Sequence, residues 1–120
     1  MYNYIHILNM KAIKITPYNI KQINNINDDI EYTGNILNGL LLDLPLKWKF
    51  NKYILTMFTK DIYTSDDIYN PLATYLYSKL KCNFSDNIFG SVFICAEDND
   101  SIIDFTINDL NYLIAKIKIL

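Results

Sequence analysis

Apolar and polar residues alternate in short runs along much of the chain and switch to a helical period near residues 71 and 107. Tyr2 to Ile7 puts Tyr2, Tyr4 and His6 on one face and Ile5 and Ile7 on the other, the two-residue period of a half-buried strand. Ala12 to Thr16 repeats the pattern with Ile13 and Ile15 inward, and Pro17 ends the run. Leu40 to Leu44 is a short apolar strand stopped by Pro45, and Tyr53 to Thr59 alternates loosely and is rich in aromatic and branched residues. Lys47 to Lys52 is the predicted hairpin between those two strands. Ile88 to Ala96 reads as the most buried strand; Glu97-Asp98-Asn99-Asp100 makes its turn, and Ile102 to Phe105 is a short partner.

Helices are signed by their ends. Asn27-Asp28-Asp29 opens the first, with Asn27 as cap, acids in the positive first turn and Gly39 at the close. Gly34 in its middle costs about 1 kcal/mol relative to alanine. After a loop at Thr64-Ser65-Asp66-Asp67, Asn70 caps the second helix, and Pro71 takes the first helical position, where no amide hydrogen is needed. Leu72, Leu76 and Leu80 then recur every four residues, with Ala73 and Tyr77 alongside. In the third, Thr106 and Asp109 approximate a capping box, Phe105 and Leu110 hold the staple positions, and Leu110, Leu113, Ile114 and Ile117 form one buried face. The expected fold is α+β: a single compact domain over residues 1–120, with a mixed or antiparallel sheet of four to six short strands and two to three helices packed on one face. Residues 1–9 are either a first strand or an N-terminal extension, since Met10 is an alternative start.

Composition narrows the class. At 120 residues and 51% hydrophobic, the chain can bury a core without metal or disulfide support. A net charge of −2 disfavours bulk electrostatic binding to nucleic acid or an anionic membrane. All 11 basic residues are lysine, so the bidentate guanidinium fork that reads phosphates is missing. MYNYIHILNMK lacks the charged start and long apolar run of a signal peptide, and the Leu40 to Leu46 patch is too short to span a bilayer. Cys82 and Cys95 would pair only if the fold brought their Cα atoms to about 5–6 Å. Cys95 lies in an apolar strand, where a thiol acts as a small hydrophobe. The expectation is a reduced, cytoplasmic protein. Heavy use of Ile, Asn, Tyr and Lys, with their AT-rich codons, points to a virus, a phage or a low-GC bacterium.

Candidate chemistry is sparse. His6 is the sole histidine and has no foreseeable nucleophile beside it, and the acidic turn at 97–100 lacks the glycine and final glutamate of a calcium loop. Three glycines in all cannot build a glycine-rich phosphate cradle. We therefore expect no catalytic residue, no metal and no cofactor. Lys47-Trp48-Lys49-Phe50-Asn51-Lys52-Tyr53 is the one interleaved basic and aromatic stretch. Its lysines would meet phosphates while Trp48 and Phe50 stack on bases, each stack worth roughly 1–3 kcal/mol; the same residues suit an acidic protein surface, or merely an ordinary hairpin. Tyr69, Tyr75 and Tyr77 surround the Pro71 helix, and whichever of them face outward make a contact surface. The candidate binding residues, for a partner protein or a nucleotide, are Lys47, Trp48, Lys49, Phe50, Lys52, Tyr69 and Tyr75.

Five short motifs occur in order: Met10-Lys11-Ala12-Ile13, Leu37-Asn38-Gly39, Asn70-Pro71-x-Ala73-Thr74-x-Leu76, Gly90-Ser91-Val92-Phe93-Ile94 followed by acids, and Phe105-Thr106 with Asp109-Leu110. In these the chain from Met10 onward resembles domain-of-unknown-function family 3846, small proteins of phages and other viral or mobile genomes. The resemblance implies a viral accessory protein and carries no catalytic residues; its Asn70, Pro71, Ala73, Thr74 and Gly90 are explained by capping and close packing. The expected function is non-enzymatic binding of a host or viral protein in the host cytoplasm, interfering with a defence or regulatory component. The alternative is a sponge that sequesters a nucleotide; an enzyme ranks last. Short strands with edges that want covering also suggest a homodimer.

Overall fold

The computed structural model describes residues 11–43, 48–50, 53–81, 87–99 and 101–117, with the backbone alone for 42, 43, 48–50, 53 and 81. The predicted strand at Tyr2 to Ile7, and with it His6, lies outside the described residues, as do Lys47, Lys52 and Cys82. Among the described residues, seven strands form one antiparallel sheet: β1 (Ala12–Ile15), β2 (Ile20–Ile23), β3 (Leu41–Asp43), β4 (Trp48–Phe50), β5 (Tyr53–Lys60), β6 (Val92–Asp98) and β7 (Ser101–Ile103). The main path is β2-β1-β6-β5-β3, five strands, with β4 added beside β5 and β7 beside β6. Three helices, α1 (Ile30–Leu37), α2 (Pro71–Lys81) and α3 (Ile107–Ile117), complete an α+β fold.

Strand pleating sorts the core into two faces. Ile13 and Ile15 of β1, Leu55 and Met57 of β5, and Val92, Ile94 and Ala96 of β6 point to one side, where Ala73, Leu76 and Leu80 of α2 and Leu110, Leu113 and Ile117 of α3 close over them. Ala12, Phe93 and Cys95 point to the other, against Ile26 and Tyr32. Two helices thus share one face, and α1 covers the opposite one with a 3-10 turn at Ile26–Asp28. Burial on both sides explains why β6 reads as a continuous apolar run instead of an alternating one.

Several boundaries differ from the sequence reading for local reasons. Pro17 ends β1 but also starts a tight turn: Thr16 Oγ1 accepts from the Tyr18 and Asn19 amides at 3.1 and 2.9 Å, and the chain returns as β2. The first helix is capped by Asp29, not Asn27, through a 2.9 Å bond from the Tyr32 amide. Asn25 caps the 3-10 turn instead, because the buried Ile26 pins that turn against the sheet. Within the predicted Lys47 to Lys52 hairpin, the described residues Trp48–Phe50 form β4, paired with Tyr53–Leu55 of β5. Gly39 takes the expected left-handed cap, φ +71°, with its amide donating to Ile36 O. The capping box at α3 is made in both directions, Thr106 N to Asp109 Oδ2 at 2.9 Å and Asp109 N to Thr106 Oγ1 at 3.3 Å. No helix among the described residues is long and apolar enough to cross a membrane.

The α1 face carries an ionisable cluster. Lys14 Nζ bonds Asp29 and Glu31 at 3.0 and 3.1 Å and sits 5.6 Å from the centre of the Phe93 ring. Burial works to lower the Lys14 pKa, and the two carboxylates outweigh it, so the value is raised. Burial, with Cys95 nearby, pushes the Tyr32 phenol up to about 12. The folded chain therefore holds a proton that the unfolded chain releases near pH 10, so the stability that Tyr32 contributes is intact below about pH 10 and lost as pH rises towards 12. Urea midpoints measured from pH 9 to pH 12 are expected to fall, and less steeply for Tyr32→Phe, which keeps the ring but has no proton to lose. An equal slope in the two proteins would contradict this.

Candidate functional site

The antiparallel pairing brings four segments to one end of the sheet. Strands β1 and β5 both run opposite to β6, so both finish where β6 begins. The turn at 16–19, the loop that leaves Lys60 and the approach to β6 through Phe89 and Gly90 meet there. The start of α2 joins them: Asn70 N–H donates to Ile88 O at 2.8 Å, Gly90 N–H to Ile68 O at 2.7 Å, and Tyr69 bridges Phe89. Strand β3 starts at this end as well, and Leu40 O accepts from the Asp61 amide.

What these segments expose is unusual for loops. Ile62, Tyr63, Ile68 and Tyr69 all project to solvent, Ile62 at 61%, and Tyr18 at 76% stands on the neighbouring turn. Phe89 packs edge-on against both Tyr63 and Tyr69, at 5.4 and 5.8 Å between ring centres, so the rings form one platform. Between Tyr18 and α2 lies a hollow of about 220 Å³ whose walls include Ile15, Pro17, Tyr18, Ile20, Pro71 and Leu72.

The platform is held stiffly from beneath. Lys60 Nζ reaches both oxygens of Asp67 at 2.9 Å, closing the loop at its base. Asp67 Oδ2 also accepts from the Thr64 amide at 2.7 Å, and Tyr63 OH meets Thr59 Oγ1 at 3.3 Å. Burial alone would raise the Asp67 pKa, but the Thr64 amide and the Lys60 ammonium outweigh it and hold the carboxyl below its ordinary range. Gly90, at φ +76°, lets β6 pass close to this pair; a Cβ there would lie 3.2 Å from Asp67 Oδ1. The completely buried Asn70 ties the corner together, donating through Nδ2 to Ile15 O at 2.9 Å and Gly90 O at 2.8 Å while its Oδ1 caps α2 at the Ala73 amide.

The candidate residues read from sequence fall in different places. Tyr69 is on the platform. Tyr75 is half-buried against the core with Lys79 Nζ 5.9 Å from its ring centre, and Tyr77 is buried. Trp48, Lys49 and Phe50 form β4 beside the first residues of β5, so about 17 Å of strand separates their partners from Lys60 and the platform. The structure thus does not bring Trp48–Phe50 and Tyr69 into one site, and Lys47 and Lys52 lie outside the described residues. Ile62, Tyr63, Ile68, Phe89 and Tyr18 escaped the sequence reading. Large apolar residues on both sides of the Thr64–Asp67 turn were the available signal.

Among the described residues no group of three or more His, Cys, Asp or Glu is placed to hold a metal ion. Cys95 is buried in mid-strand. The start of α2 is a poor anion site, because Pro71 has no amide hydrogen and the Ala73 amide is already taken by Asn70. The hollow is smaller than the roughly 300–1,000 Å³ usual for small-molecule pockets, and no charged residue lines it. The arrangement suits contact with a macromolecular surface: a rigid apolar centre with a shallow recess beside it. No family model, no curated protein and no solved structure matches the chain.

Proposed function

We propose that this chain is a non-enzymatic binding protein, a viral or phage accessory factor that docks on a host protein in the host cytoplasm through the platform of Tyr63, Tyr69 and Phe89. One observation carries the reading: large apolar side chains are exposed together on a loop locked by the Lys60–Asp67 pair. Exposed clusters of this kind mark contact surfaces, and tyrosine is favoured at the centre of such interfaces. A surface already ordered before binding loses little conformational entropy when the partner arrives. The five motifs in order and the AT-rich residue usage support the viral origin.

The test is native mass spectrometry of the protein recovered from the cells in which it is made, beside a Tyr63→Ala/Tyr69→Ala variant. Wild type is expected to retain a companion protein, and the variant to lose it, with affinity down about 30-fold or more, while the variant still unfolds cooperatively at a melting temperature lowered by the lost ring contacts to Phe89. A companion held equally by both proteins refutes the platform. Retention of a nucleotide-sized ligand in place of a protein refutes the reading as a whole.

A further inference from the structure

The charges around the platform are as one-sided as its centre is apolar. The described segments that converge there are 16–20, 37–41, 60–72 and 87–91, and their acidic and basic side chains are four: Lys60, Asp61, Asp66 and Asp67. Lys60 is spent on Asp67. Asp61 and Asp66 are exposed and paired with no side chain among the described residues, so this end of the sheet holds two unneutralised carboxylates beside Ile62, Tyr63 and Ile68. Across the whole sequence lysines nearly balance acids, at 11 against 13. The bias is therefore local to the platform.

We infer that the partner meets this end of the sheet with a basic segment, in which lysine or arginine side chains flank an apolar anchor. The inference rests on the docking role proposed above and adds the chemistry of what docks. The anchor stacks on Tyr63, Tyr69 and Phe89 or enters the hollow beside Tyr18, while the cations face Asp61 and Asp66. A like-charged rim rejects acidic surfaces and speeds encounter with basic ones, so the two aspartates act on specificity and association rate more than on the final affinity. A second copy of this chain is the poorer occupant, because a two-fold contact here would set Asp61 and Asp66 against the same pair.

Selection of displayed random dodecapeptides on the intact, immobilised protein tests both levels. Enriched peptides are expected to carry an aromatic or large aliphatic residue with at least two neighbouring Lys or Arg. Binding of the consensus peptide should weaken about three- to tenfold in Asp61→Asn/Asp66→Asn, mostly through a slower association that high salt reproduces in wild type. It should disappear in Tyr63→Ala/Tyr69→Ala. Uncharged or acidic peptides that still need Tyr63 and Tyr69 overturn the basic segment and leave the docking surface standing. Peptides indifferent to those tyrosines, or no enrichment at all, overturn both. Sedimentation showing a dimer that Tyr69→Ala disperses also overturns the inference, since the surface would then be occupied by a second copy.

Discussion

Asn70→Ala is expected to destabilise the protein by about 3–5 kcal/mol, the largest loss for any polar side chain in the described structure. The residue is completely buried, and its amide makes three bonds: to the last carbonyl of β1, to the carbonyl before β6 and to the first turn of α2. Alanine leaves two buried carbonyls and one amide without those partners, each worth about 1–3 kcal/mol, with part recovered where water reaches the helix end. Asn70→Asp separates the contributions. It keeps the cap and the shape but turns two donors into an acceptor facing carbonyl oxygens, so it should be at least as damaging as alanine. Asn70→Ser retains only the cap and should fall between wild type and alanine. Urea unfolding of the three variants gives the order, and an aspartate variant as stable as wild type would refute the role of the two donated bonds. Because Asn70 joins three of the segments that build the platform, its loss should also weaken partner binding beyond what stability alone explains.

Asn70 also marks what the sequence could and could not disclose. Its cap, the Pro71 after it and the leucines every fourth residue are local, so α2 was legible in order and extent. The capping box of α3 is local too, and so is the apolar run of β6, although that strand begins at Val92, not Ile88, and continues through Glu97 and Asp98, which the sequence assigns to the turn. The two bonds from Asn70 Nδ2 span 55 and 20 residues, and no local pattern encodes them. Strand β2 was missed because IKQI lies at the sheet edge with little burial, so no alternation is imposed on it. The platform failed to appear for a related reason. Tyr69 was singled out with Tyr75 and Tyr77 as neighbours in sequence, whereas its neighbours in space are Phe89, twenty residues on, and through it Tyr63. Those contacts exist only because β5 and β6 are antiparallel and the loop after Lys60 is folded back by Asp67. Pairing of strands, not periodicity within them, decides which exposed residues become a surface.

That separation between faces and ends leads to the second large expected effect. Phe93→Ala should cost about 3–5 kcal/mol, since the ring is completely buried in the central strand and the cavity it leaves opens on the α1 face. The damage should be uneven. Tyr32 of α1 packs edge-on against Phe93 at 5.1 Å, and Lys14, which rests over the same ring, holds Asp29 and Glu31 at the start of α1. Removing the ring takes away the seat of the helix and the prop of its ion pairs together. The opposite face loses nothing directly, because Ile94 and Val92 still point into the cluster of α2 and α3. Hydrogen exchange is therefore expected to accelerate over residues 30–37 more than over 71–81, while Phe93→Leu, which refills most of the volume, shows a milder version of the same asymmetry. Uniform acceleration would mean that the two faces unfold as one unit. If the asymmetry holds, the Tyr63–Tyr69 platform should survive Phe93→Ala with its partner affinity intact, because Asn70, Gly90 and the Lys60–Asp67 pair make no contact that depends on this ring.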